Sequence, residues 1–151
     1  MKVDGPPAEG AEVLTDDGYC FGCGPKNPIG LRLEFGWDDA SGDYITRYTP
    51  SREHQGWEGR AHGGLVALVF DEVLSRVVLA TEGLNWVTAE LTTRLAQPVW
   101  VGETLLFRAR VVSKRSRLII SSGEAYTEKG KIVARGTAKM MPVFRSVSSQ
   151  F

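Results

Sequence analysis

The sequence predicts an α+β domain in which a curled antiparallel β-sheet wraps around one long central helix. Three observations carry this. Residues 62–80 are the one long stretch whose apolar side chains recur at helical spacing, and they cover so much of the circumference that little of the helix can face water. Two strand patterns precede that stretch and four follow it. The joins between the later strands, such as Glu128-Lys129-Gly130, are too short for crossovers and make the strands antiparallel neighbours. One sheet leaves much of the helix uncovered, and a second copy of the chain is the simplest cover, so a homodimer is expected.

Residues 1–18 are rich in Gly, Pro, Ala and acidic side chains without periodicity, the composition of a poorly ordered arm. Residues 20–30, Cys-Phe-Gly-Cys-Gly-Pro-Lys-Asn-Pro-Ile-Gly, are punctuated too often for anything but a turn-rich loop. Leu31, Leu33 and Phe35 then alternate with Arg32 and Glu34 as a half-buried strand. Its hairpin partner, residues 44–49, follows a turn at 38–42 and stops at Pro50. After a loop at 51–61 the helix is expected over residues 64–81, ending near Gly83. In the strand at 86–95, Val87, Ala89, Leu91 and Leu95 should share one face, and Thr88, Glu90, Thr92 and Arg94 the other. Strands at 104–112, 118–127 and 131–141 complete the set. The domain is placed at residues 19–145, with 146–151 as a tail.

A chain of 151 residues is one domain, long enough to bury roughly two-thirds of its unfolded surface. Its 18 basic and 18 acidic residues create no net field, so neither nucleic acid nor an anionic membrane is an expected partner. No apolar run approaches the ~20 residues of a membrane span and the first residues lack a signal core, which reads as cytoplasmic. Cys20 and Cys23 are too few for a disulfide framework. As a zinc site they need two further ligands, and His54 and His62, with seven residues between them, do not have the usual spacing, so no metal is expected.

The chemistry concentrates at the helix. Gly63-Gly64 supplies no side-chain oxygen to the first-turn amides, which leaves donors at the positive end of the helix dipole, where an oxyanion can be received. Asp71 lies inside the apolar helix, and a carboxylate there is disfavoured by several kcal/mol unless something partners it. Gly64 and Asp71 share a helical face but stand about 10 Å apart along the axis, so one carbonyl cannot touch both. If both serve one site, they come from two helices running antiparallel across a dimer interface. Glu72 reads as a partner for Arg76 four residues on. No Gly-x-Ser-x-Gly elbow occurs, which argues against a serine hydrolase.

His62-Gly63-Gly64 with Asp71, then Val87-Thr88-Ala89-Glu90-Leu91, Gln97-Pro98 and Gly102, together resemble the hotdog-fold acyl-CoA thioesterases of the PaaI type. The Cys20–Leu31 stretch and Gln55-Gly56-Trp57-Glu58-Gly59 resemble the branch with an extra N-terminal loop. The resemblance covers residues 19–141. It implies that Gly63 donates its N–H to the thioester carbonyl, that Asp71 of the partner subunit acts as general base or nucleophile, and that Thr88 holds the carboxylate or the water. His62 shapes the helix start. Family members often carry Asn or Gln six residues before the His. That position is Gly56 here, and the adjacent Gln55 is the substrate-binding candidate. Trp57 is a candidate wall of the acyl pocket, and Arg94 with Lys114, Arg115 and Arg117 is the basic cluster offered to the phosphates of coenzyme A. No cofactor is needed beyond the coenzyme A of the substrate. Dimers pairing into a tetramer are expected, and a non-catalytic acyl-CoA or small-ligand binder is the alternative. A hotdog dehydratase is disfavoured because no His pairs with the helix carboxylates. The acyl group stays open among aromatic, medium-chain and branched acids.

Overall fold

The computed structural model describes residues 14–83 and 85–143. The expected arm as far as residue 13, and the tail at 146–151, lie outside the described residues. Element order runs β1 (Phe35–Trp37), β2 (Tyr44–Tyr48), a single 3₁₀ turn (Arg52–His54), α1 (Gly63–Glu82), β3 (Trp86–Leu95), β4 (Leu105–Arg115), β5 (Leu118–Thr127) and β6 (Ile132–Pro142). The strands form one antiparallel sheet in the order β1-β2-β4-β5-β6-β3, curled around α1. Consecutive strands β4, β5 and β6 are hairpin neighbours, whereas the chain crosses under the sheet through α1 between β2 and β3.

The helix sits in the curl because its apolar residues meet the inward positions of the strands. Val69, Phe70, Val73, Leu74 and Val78 are fully buried against Leu105, Phe107, Ala109, Ile119, Ala138 and Met140. Phe70 packs edge-on to Phe107, ring centroids 4.9 Å apart. Gly136 makes that approach possible, since a Cβ there would stand 2.6 Å from Phe70 Cδ1. Ser121 is buried in β5, and its hydroxyl donates to the Leu74 carbonyl at 2.9 Å. Gly83, at φ +92°, stops the helix where a residue with a Cβ would be strained.

Two expectations are corrected. Residues 31–34 are not strand: Arg32 takes φ +51°, which breaks the extended run. Leu31 and Leu33 instead donate their N–H groups to the Phe21 and Gly22 carbonyls at 2.8 and 2.9 Å, so this stretch pairs with the cysteine loop. In β3 a bulge between Thr88 and Glu90 changes which side chains face inward. Trp86 and Thr88 are half-buried before it and Leu91 and Thr93 after it, while Val87 and Leu95 are exposed. Thr88 therefore turns toward the helix side, opposite to the face that simple alternation assigns.

Candidate functional site

The start of α1 is built from the preceding loop. Residues 55–61 are clamped on both sides: Ala61 N–H donates to the Val99 carbonyl at 2.8 Å, and His62 N–H to the His54 carbonyl at 2.8 Å. Arg60 lies over the Trp100 ring, 5.0 Å from its centroid. His62 is the N-cap, and its Nδ1 accepts the Gly64 N–H at 2.9 Å. The expectation that both glycine amides are uncapped is thus corrected. An imidazole nitrogen takes the place of the missing side-chain oxygen, and the ring is held with its proton on Nε2. Gly63 N–H has no hydrogen-bond partner among the described residues.

Gly63 opens onto a cleft of about 680 Å³ lined by Trp57, Val66, Leu95, Gln97 and Val99 among others. The helix start is pressed on the end of β3 so closely that a Cβ at Gly63 would stand 2.7 Å from Leu95 Cδ1. Glycine is required there by the packing as well as by the amide. Trp57 stands at the mouth, 85% exposed. The cleft is apolar with a bare amide at one end, which suits an acyl chain attached to a carbonyl.

Asp71 does not line this cleft. It lies eight residues further along α1, about 12 Å by helical rise. Its Oδ1 is buried without a hydrogen-bond partner among the described residues. Such an atom costs of order 1–3 kcal/mol when nothing outside the chain meets it, and Tyr48 Oη is the other buried side-chain atom without a partner among the described residues. Thr88 is half-buried and its hydroxyl donates to Met140 Sδ at 3.3 Å rather than to Asp71.

The binding candidates divide. Gln55 Oε1 accepts the Gly59 N–H at 3.2 Å, closing its own loop, and Gln55 is not among the residues lining the cleft. Lys114 pairs with Glu82, 2.5 Å away at the last turn of α1, the end opposite Gly63. In the ladder Lys114 lines up with Ile119, Met140 and Thr88, whereas Arg94 lines up with Arg135, Glu124 and Arg108. The two rows are five residues apart on β6, about 17 Å, so Arg94 does not join Lys114, Arg115 and Arg117 in one cluster within the chain.

Sequence reasoning missed the use of Glu72 and Arg76. They serve the N-terminal loop: Cys20 Sγ donates to Glu72 Oε1 at 3.3 Å, and an Arg76 Nη donates to Cys23 Sγ at 2.6 Å. Burial pushes the Cys23 thiol up to about 12, against the pull of Arg76. The signal was Gly22 between the two cysteines, whose missing side chain lets the loop close on Glu72 of the helix.

A sequence profile of the Thioesterase superfamily matches residues 58–134, which span most of the cleft lining, α1 and strands β3 to β5. The chain belongs to the Thioesterase superfamily. Membership supports a thioester hydrolase and agrees with the hotdog resemblance read from the motifs. Human acyl-coenzyme A thioesterase 13 is 28% identical over 99 residues, 64% of this chain and 71% of that protein. Among solved structures, the thioesterase superfamily protein RHA08564 has a TM-score of 0.73 at 25% identity, covering 87% of this chain and 69% of that one. The BH2602 protein from Bacillus halodurans, solved with CoA, has a TM-score of 0.68 at 26% identity over 78% of each chain. No helix among the described residues of this thioesterase is long and apolar enough to cross a membrane.

Proposed function

We propose that this thioesterase hydrolyses an acyl-CoA thioester at sites shared between two copies of the chain. The observation that carries the reading is the mismatch along α1. A bare Gly63 amide faces a substrate-sized cleft, and the unpartnered carboxylate of Asp71 lies two turns away and outside that cleft. Two antiparallel helices bring the two groups together from opposite copies. The half-buried Leu65, Ala67, Leu68 and Leu79 of α1, and the unpaired edge of ten-residue β3, offer surface for a second copy to cover.

In this reading the acyl chain lies in the cleft beside Trp57 and Val66, and the thioester oxygen accepts the Gly63 N–H. The carbonyl carbon then needs an oxygen nucleophile about 3 Å away. Asp71 of the partner subunit supplies it, either by taking a proton from water or by attacking to form an anhydride that water then opens. The charge that develops on the carbonyl oxygen is met by the Gly63 amide and the positive end of α1. Coenzyme A leaves as a thiol, and no metal takes part in the step. The hairpin of Lys114, Arg115 and Arg117 is the phosphate-binding candidate for the partner's substrate, since in an antiparallel pair it approaches the opposite Gly63 end. A homodimer is the smallest assembly that completes the site, and a dimer of dimers is compatible with it.

The human relative's name and the CoA in the Bacillus structure support coenzyme A as the carrier. Asp71→Asn tests the reading on a panel of acyl-CoAs. Thiol release should fall about 10²-fold or more while gel filtration shows the same assembly. An equally active variant removes Asp71 from the mechanism, and ligand binding without thiol release by the unaltered protein would make it a binder.

A further inference from the structure

We propose that Cys20, Cys23 and Glu72 hold a divalent thiophilic metal ion of the zinc class, which fastens the N-terminal loop to α1 beside Asp71. The ligand atoms of these three residues all lie within 4.8 Å of one another, and Cys20 Sγ is 3.3 Å from Glu72 Oε1. A tetrahedral zinc ion with ordinary Zn–S and Zn–O bonds spaces its ligand atoms about 3.6–3.8 Å apart, within that range. The two helical or strand ligands that a cysteine pair usually requires were missing from the sequence pattern. Glu72 supplies one from α1, fifty-two positions away in the chain, and water completes the fourth position.

The loop is shaped for this contact. Gly24 N–H donates to the Cys20 carbonyl at 2.7 Å, so the Cys-x-x-Cys turn closes and presents both sulfurs to one point. At Gly22 a Cβ would stand 2.4 Å from both Cγ and Cδ of Glu72, so only the absent side chain lets the carboxylate in. Arg76 donates to Cys23 Sγ from behind and its guanidinium is stacked over Phe35, 5.3 Å from the ring centroid. That is the position of an outer-shell donor to a metal-bound thiolate. Two thiolates and a carboxylate against one guanidinium leave two negative charges, which one dication cancels. Binding releases the thiol protons to solvent and forms two metal–sulfur bonds and one metal–oxygen bond, with no change of oxidation state. A disulfide between the same cysteines would instead leave Glu72 Oε1 without its Cys20 donor.

The test uses the full-length protein, stripped with a chelator under reducing conditions and titrated with Co²⁺. One equivalent per chain should bind with a thiolate-to-cobalt charge-transfer band, and Zn²⁺ should displace it. Cys20→Ser and Cys23→Ser should lose the band, Glu72→Gln should shift it, and Arg76→Met should weaken binding about 10-fold or more. In the unaltered chain, zinc should shield both thiols from alkylation, a readout that needs no variant to fold. Cobalt bound without the sulfur band, thiols alkylated equally with and without zinc, or a Cys20–Cys23 disulfide in freshly isolated protein would each overturn the proposal. None of these readings depends on turnover, so they stand apart from the thioesterase assignment.

Discussion

His62 decides which amide is left for a carbonyl. By accepting the Gly64 N–H it satisfies one first-turn donor and holds the helix start in place, so that Gly63 N–H alone opens onto the cleft. The residue is thus a positioning group whose contribution is to geometry, and its loss should register first in stability. His62→Ala removes a cap worth about 1 kcal/mol, a Tm lower by about 2 to 4 °C for a chain of this size. His62→Asn restores an N-cap acceptor and should recover most of the difference in a thermal melt. Asp71 behaves in the opposite sense. Its buried Oδ1 has no partner within the described residues, so Asp71→Asn should cost activity without a matching loss of Tm, the expected sign for a group retained at the expense of stability.

At the scale of elements, β4 and β5 are joined on their outer face by a two-pronged pair. Arg110 donates from both Nη atoms to Glu124 at 3.0 and 2.9 Å, and this contact holds the Glu124 carboxyl below the usual carboxylate range. A folded-state value below the unfolded one means the pair stabilises fully above the ordinary carboxylate range and is lost as pH falls through the depressed value. Arg110→Met should therefore lower stability by about 1–2 kcal/mol at neutral pH, with the gap to the unaltered protein closing in acid, as read from Tm across the acid range. The elements themselves were legible wherever one period ran unbroken. The helix was expected over 64–81 and spans Gly63–Glu82, and the expected bounds 86–95 and 118–127 are those of β3 and β5. It failed where one residue changes the phase. Arg32 at φ +51° and the bulge after Thr88 leave no mark in hydrophobicity, yet each turns the side chains beyond it to the other face. The glycine start and Asp71 were legible because charge and missing side chains are conspicuous in an apolar helix. Glu72 does act on the Arg76 charge as the i,i+4 spacing implies, but spacing within a helix says nothing about a cysteine loop fifty residues earlier that both residues also hold.

For the whole molecule, the shared site makes a claim that no single substitution can test. Let one chain carry Gly63→Val, which forces a side chain against Leu95 at the cleft, and let another carry Asp71→Asn. Each variant alone lacks one half of every site, so each homodimer should be inactive. In a heterodimer one site receives both damaged groups and the other receives both intact ones. Random pairing makes half the assemblies heterodimers, each with one working site of two, so mixing should restore about one quarter of the full rate. If Gly63 and Asp71 of the same chain formed the site, every site in every assembly would carry one lesion and mixing would restore nothing. The experiment is a thiol-release assay on co-expressed, co-purified chains, with the separately purified homodimers as baseline. Recovery near one quarter places the acid and the amide on opposite copies, and a flat baseline from chains shown to have paired puts both groups of each site on one chain and overturns the shared site.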